Sequence, residues 1–530
     1  MNKSILASVI FTTLLSGCGS SGGGSSPLTY KWQMIQLVSM TEGDADIEGC
    51  IIYADSDEND GEVISAVIAT RGYKILYHHP DGSLKDEYSP SETTGSFEIV
   101  VDDIPDDGYV SVEEISNPYS STTDVYMFSV EKSLLSDLVV SVRTFQDDDE
   151  PCYEGSNYRD TVNEDGTPVI DVGYSSDDIV YYQTSYGIGA LDGKVGPNPT
   201  EIPVKSPLPP LEAEYVMHDV LVTAFSLYDN NEGFTISHYG FLKGDDYIYN
   251  SLDEPSSVYT PTLFDEIDNS SYYWDTKTSN NVTFVDKDIY ALHRDSDIIY
   301  YWQPLYQEGN SLSIISSDAN QDQKVSNWSA YFTGDVEASW KFESFVTFGS
   351  NNDGLVEFYL PELFSIENIQ VVDGDSCNSG VEHCVNISSY YNNNEFTYQR
   401  TYLKTLIPYG NSSSSSTIIQ SIYAPVSDVF ILLETSVDSL KDVSVTTINN
   451  DLTIALNLIK SDTNSLDAIQ YLMSQSMDEV TLGDDQINIT DDSFSDANGF
   501  VATGDERDAL ELAIFKSTTL IVKSEISEEL

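Results

Sequence analysis

The residues best placed to do chemistry are oxygen donors. Asp318-Ala319-Asn320-Gln321-Asp322-Gln323-Lys324-Val325-Ser326 carries carboxylate or carboxamide oxygens at alternate positions of a short polar loop. In a calcium loop the side chains at the first, third and fifth positions and the carbonyl at the seventh converge on one hard cation. Asp318, Asn320 and Asp322 are therefore the candidate metal ligands, and calcium the candidate ion. Two departures weigh against it: Gln323 stands where the sharp turn wants glycine, and Ser329 where a bidentate glutamate would close the shell. A solvated acidic turn is the competing reading. Aromatic runs are the second candidate. Tyr272-Tyr273-Trp274 and Tyr300-Tyr301-Trp302 could stack on sugar rings or form an adhesive protein interface. The competing use of such residues in strands is core and cross-strand packing.

No catalytic constellation emerges. Gly19-Ser20-Ser21-Gly22-Gly23 satisfies G-x-S-x-G, but no strand precedes it and no helix follows, so a nucleophile elbow cannot form there. None of the histidines, His78, His79, His218, His238, His293 and His383, belongs to an H-E-x-x-H, and there is no P-loop or dinucleotide fingerprint. His78-His79 ahead of Pro80 reads as a strand end. Carboxylates are so abundant that a glycosidase-like pair could be assembled from almost any two of them. The balance leans away from an enzyme.

The elements that must position these groups are strands. Tyr, Phe, Val, Ile and Thr fall in short runs separated by Asp, Asn and Gly, as pleated half-buried surfaces require. Val125–Val130, Leu138–Val142, Trp340–Phe348 and Leu355–Leu360 are examples, and Asn351-Asn352-Asp353-Gly354 between the last two reads as a hairpin turn. Helical periodicity is confined to Ser465–Met477, where Leu466, Ile469, Leu472, Met473 and Met477 share a face, and to Arg507–Phe515. The fold class is all-β, with tandem β-sandwich-type domains and minor helices. The expected domains are 28–155, 156–336 crossed by a Pro-rich segment at 196–211, and 337–530.

Lys and Arg number 23 against 88 Asp and Glu, a formal charge of −65 spread along the chain. That excludes nucleic acid and anionic lipid surfaces as partners, because both need neutralising cations. A dispersed acidic surface suits a salty medium, and self-repulsion predicts lower stability in dilute buffer than at ~0.5 M salt. Besides Cys18 there are Cys50, Cys152, Cys377 and Cys384, an even count that implies disulfides in an exported chain. The economical pairing joins Cys50 to Cys152 and Cys377 to Cys384.

Export is itself legible. Lys3 precedes an apolar run from Ile5 to Leu15, followed by Leu15-Ser16-Gly17-Cys18 and a Gly/Ser stretch to Ser26. This resembles a bacterial lipoprotein signal. The run is too short to span a bilayer, and small residues let a peptidase reach the bond before the cysteine. The resemblance implies removal of residues 1–17, acylation of Cys18, and a flexible tether over 18–27. Gly19, where an aspartate favours inner-membrane retention, implies the outer membrane, with the body on either its surface or its periplasmic side.

Two weaker resemblances concern the body. Ile47–Tyr53, Val63–Thr70, Thr94-Gly95-Ser96-Phe97 and Ile104-Pro105-Asp106-Asp107-Gly108-Tyr109 are similar to the carboxypeptidase-regulatory-like, prealbumin-type β-sandwich, which implies a structural or binding module. Asp178–Asp192 is similar to a quinoprotein-type propeller blade, but the required regular repeat is missing, so a divergent propeller is the alternative for the middle region. The functional expectation is a lipid-anchored surface or envelope module that binds a glycan or an envelope protein. The alternatives are a lipid-tethered glycan hydrolase and a periplasmic assembly factor.

Overall fold

The computed structural model describes residues 27–524 apart from connecting segments, the longest of which are 208–219, 243–257, 441–451 and 483–498. The strands that matter for function are, in chain order, β1 (Thr29–Thr41), β2 (Tyr73–His78), β3 (Leu84–Tyr88), β4 (Tyr109–Ser116), β5 (Asp124–Glu131), β6 (Ile267–Thr278), β7 (Val282–His293), β8 (Ile299–Pro304), β9 (Val325–Val336), β10 (Trp340–Phe348), β11 (Leu355–Leu360), β12 (Tyr398–Pro408), β13 (Ser415–Pro425), β14 (Leu452–Ser461) and β15 (Thr519–Ser524). Two helices accompany them, α1 (Ser465–Leu482) and α2 (Gly504–Phe515). The chain is all-β with minor helices.

A twelve-stranded sheet organises the molecule, in the order β8-β7-β9-β10-β15-β14-β12-β13-β5-β4-β2-β3. Residues 28–155, 156–336 and 337–530 all contribute strands to it. β5 and β13 meet in parallel, with Val125 opposite Ile418 and Val130 opposite Tyr423. β9 and β10 pair antiparallel, with Val336 opposite Trp340, so a ladder joins strands on either side of the expected boundary at 336/337.

Both faces of this sheet are buried, because successive side chains point opposite ways and each set finds apolar cover. On one face Leu76, Val125, Met127, Phe332, Phe342, Ile418, Leu456 and Val522 share a core with Trp274, Leu312, Val356 and Phe358 of a three-stranded sheet, Ser311–Ile315, β6 and β11. On the other, Ile75, Val112, Phe128, Tyr423 and Ile521 pack with Trp32 and Met34 of β1 and with Ile469, Leu472 and Ile514 of the helices. Of the apolar face that the helical spacing predicts on α1, Ile469, Leu472 and Met473 are buried, Leu466 packs half-buried against the same core, and the Met477 side chain lies outside the described residues. α2 begins earlier than Arg507, because the Thr503 hydroxyl accepts from the Glu506 amide at 3.2 Å and the Glu506 carboxylate accepts from the Thr503 amide at 2.9 Å. That reciprocal cap follows the Thr-x-x-Glu pattern.

The disulfide between Cys50 and Cys152 is present, with Cα atoms 5.3 Å apart across 102 residues of chain. On a chain-entropy basis such a long loop contributes ~4–5 kcal/mol. It is reinforced by hydrogen bonds from Ile51 N to the Tyr153 carbonyl and from Tyr153 N to the Ala66 carbonyl, both 2.9 Å. Cys377 and the Cys384 side chain lie outside the described residues. The backbone of Cys384 faces Val372 in an antiparallel pair.

The hairpin expected at Asn351–Gly354 is not the arrangement of its flanking strands. β10 pairs with β9 and β15, whereas β11 pairs in parallel with β6 in another sheet. β11 alternates exposed and buried residues, and its buried set lies over the core face of β10, Phe342 and Phe358 having ring centroids 5.0 Å apart. The two rings meet tilted at 42°, a geometry that aromatic pairs favour, and their burial holds β11 against β10 without a ladder between them.

Candidate functional site

The most exposed aromatic surface in the described residues lies on β6 and β11. Their parallel register sets Tyr273 opposite Leu355, Asp275 opposite Glu357 and Lys277 opposite Tyr359. Because strand side chains alternate, the residues between them face inward. Trp274 lies 5.9 Å from Phe332, and Phe358 5.1 Å from Phe284, centroid to centroid. A packed aromatic underside therefore holds the outer grid rigid. Outward, Tyr273 is 52% exposed, Leu355 46% and Tyr359 42%, and the Lys460 ammonium stands over the Tyr359 ring 5.8 Å from its centroid. Leu355 and Tyr359 are four residues apart, roughly 13 Å along the strand, with Glu357 between them.

The charges on this face are arranged in pairs. Lys277 Nζ lies 2.5 Å from Asp275 Oδ2. That contact and the Thr276 amide hold the Asp275 carboxyl below its ordinary range, and the same carboxylate raises Lys277, with Glu357 adding to the effect. Tyr359 donates to Glu395 Oε1 at 3.1 Å, and Lys460 Nζ meets Glu395 Oε2 at 3.1 Å. Burial and the Glu395 carboxylate push the Tyr359 phenol up, so it stays a donor at neutral pH. The result is an exposed strand face with two tyrosines and alternating charge, suited to contact by aromatic packing and hydrogen bonding.

The structure separates the six aromatic candidates. Tyr273 points to solvent. Trp274, Tyr300 and Trp302 are core residues at 5%, 0% and 0% exposure. Trp302 Nε1 donates to the Ser313 carbonyl at 2.7 Å, and its ring meets Trp328 at 5.0 Å. Burial raises the Tyr300 phenol. Tyr272 lies opposite Leu312 and Tyr301 opposite Tyr290, with side chains outside the described residues. Asp318, Asn320, Asp322 and Cys18 also lie outside them. Among the described residues no three His, Cys, Asp or Glu side chains gather as a metal site, and no helix is long and apolar enough to cross a membrane.

One Ser–His contact does form. His78 at the end of β2 lies 3.3 Å through Nδ1 from the Ser111 hydroxyl, which lies 2.8 Å from the Ser129 hydroxyl. Nε2 meets the Glu434 carbonyl at 2.8 Å. A carbonyl only accepts, so Nε2 carries the proton and Nδ1 accepts from Ser111. Burial drives the His78 pKa down to about 4, so the ring is neutral at pH 7. All three side chains have no exposed surface, and a substrate has no path to the hydroxyl. The arrangement is a structural hydrogen-bond chain. Its sequence signal is faint, since the register that joins residues 78, 111 and 129 is a tertiary fact.

No known protein family and no curated protein matches this chain.

Proposed function

We propose that this chain is a lipid-anchored lipoprotein of the outer membrane that acts as a binding or structural module of the cell envelope, with the tyrosine face of β6 and β11 as its contact surface. The anchor rests on Leu15-Ser16-Gly17-Cys18 and the Gly/Ser tether that follows. The single observation that carries the binding reading is the open Tyr273–Leu355–Tyr359 face above a solid aromatic core. A glycan hydrolase needs a carboxyl raised in a cleft beside a second carboxyl. On this face Asp275 moves the other way, and Asp467, raised by burial, sits in the first turn of α1 beside Asn464.

Fractionation tests the anchor: Cys18→Ala is expected to move the protein from the membrane pellet to the soluble fraction, and retention in the pellet overturns the lipid reading. Protease treatment of cells carrying the tagged protein then divides the addresses. Digestion on intact cells makes the partner an extracellular glycan or protein, whereas protection until lysis makes it an envelope protein. Tyr273→Ala with Tyr359→Ala is expected to reduce retention on envelope fractions by tenfold or more, the loss of an aromatic anchor being worth ~1–2 kcal/mol.

A further inference from the structure

β11 is the edge strand of its three-stranded sheet. Its ladder to β6 runs without a register shift from Tyr273 opposite Leu355 to Thr278 opposite Leu360. In a parallel ladder every second residue turns its N–H and C=O to the neighbouring strand and bonds the two residues that flank its register mate. The Thr276 amide donates instead to the Asp275 carboxylate at 2.8 Å, so Tyr273, Asp275 and Lys277 are the β6 residues whose backbone faces β11. Their bonds go to Val356, Phe358 and Leu360, which are exposed by 1% or less. The N–H and C=O groups of Leu355, Glu357 and Tyr359 therefore point to the far edge, and these are the exposed residues of the strand. Among the described residues no strand pairs with them there.

A bare sheet edge is a template for another strand, and the two ends of the twelve-stranded sheet are guarded against this. β3, at one end, presents Lys85, Asp86 and Glu87 and joins β2 through a register shift between Tyr77 and His78. β8, at the other, closes on Pro304 and joins β7 through a shift between Ile289 and Tyr290. β11 has no proline, no lysine and no bulge, and the aromatic core beneath Phe358 fixes its position. Glu357 at its centre forms no ion pair among the described residues, since Lys277 is held by Asp275 and Lys460 by Glu395. An incoming strand sets one side chain directly opposite each of Leu355, Glu357 and Tyr359 on the outward face. Apolar residues match the first and last, and a cation matches the middle one. A chain charge of −65 opposes a second copy of this protein in that place and favours a basic segment.

We propose that β11 takes up an extended segment of a partner protein as a further strand, with a lysine or arginine opposite Glu357 and apolar residues opposite Leu355 and Tyr359. This rests on the contact surface proposed above and specifies what that surface holds. Main-chain hydrogen bonds along the edge supply affinity, and the alternate outward side chains supply selection.

The probe is the end-blocked peptide Thr-Val-Thr-Lys-Thr-Val-Thr, with the same peptide carrying Glu in place of Lys as its control. Amide hydrogen exchange on the full chain reads the outcome. Saturating Lys peptide is expected to slow exchange at the Leu355, Glu357 and Tyr359 amides by about tenfold or more and to leave Val356, Phe358 and Leu360 unchanged. Glu357→Lys is expected to reverse the preference between the two peptides. No added protection in residues 355–360 at millimolar Lys peptide overturns the proposal, as does equal protection by both peptides. Protection of the same amides that grows with protein concentration alone assigns the edge to a second copy of this chain and overturns the partner. If Tyr273→Ala with Tyr359→Ala still loses envelope retention while the Lys peptide leaves β11 unprotected, the contact surface stands and strand addition falls. Protection by the Lys peptide with retention untouched in the tyrosine variant has the opposite meaning.

Discussion

Glu357 and Glu113 are both strand carboxylates that follow a buried valine, Val356 and Val112, yet Glu357 lies open to water on β11 while Glu113 has no exposed surface on β4. Around Glu357, tyrosines, lysines and carboxylates make solvent-screened pairs and leave aromatic surface exposed. Around Glu113, hydroxyls and amides are used up in fastening one segment to a sheet. The same residue types therefore build a contact surface in one place and a closure in the other. Water access decides which, because a hydrogen bond exchanged with solvent contributes little, whereas one buried without a partner costs the full desolvation of its group.

The sharpest way to break this comparison is to remove each carboxylate in turn. Glu113→Ala strands the Thr435 and Ser436 donors in the core and is expected to cost about 3 kcal/mol or more in urea unfolding. Glu357→Ala is expected to stay within about 0.5 kcal/mol of the parent. Equal losses would erase the distinction. Next in size, Cys50→Ser with Cys152→Ser removes the constraint on the 102-residue loop and is expected to cost ~2–5 kcal/mol while leaving the tyrosine face unaltered in binding assays. The smallest effect sharpens the electrostatic side: Lys277→Ala is expected to leave the urea midpoint within experimental error of the parent, at low and at high salt, since its pair with Asp275 is solvent-screened. Over the same salt range the whole chain, at −65, is expected to gain stability. A chain indifferent to salt would show that its carboxylates are locally compensated.

Much of the fold was legible because its signals are local. Alternating apolar residues announced strands, the spacing of Ile469, Leu472 and Met473 announced α1, and cysteine economy paired Cys50 with Cys152. The three-residue aromatic runs were harder. A period of two means that neighbours such as Tyr273 and Trp274 must part, but which one turns outward depends on the sheet beneath. β11 held the clue: in Leu355-Val356-Glu357-Phe358-Tyr359-Leu360 the glutamate marks the wet face, and Leu355 and Tyr359 share its parity. The hairpin reading at 351–354 failed because turn residues say where a chain bends and not which sheet it rejoins. His78, Ser111 and Ser129 were invisible as a group, since only the register of three strands brings them together.

The parallel pairing of β5 with β13 also sets a timetable. The Thr417 amide donates to the Asp124 carboxylate across 293 residues, so a chain emerging N-terminus first holds β5 with one edge bare until that length has followed. At synthesis rates of ~5–20 residues per second the wait is roughly fifteen to sixty seconds, far longer than a hairpin needs to close. An unpaired strand that patient invites the wrong partner. Until its neighbour arrives, the free edge of Val125–Val130 on a nascent chain is open to mispairing.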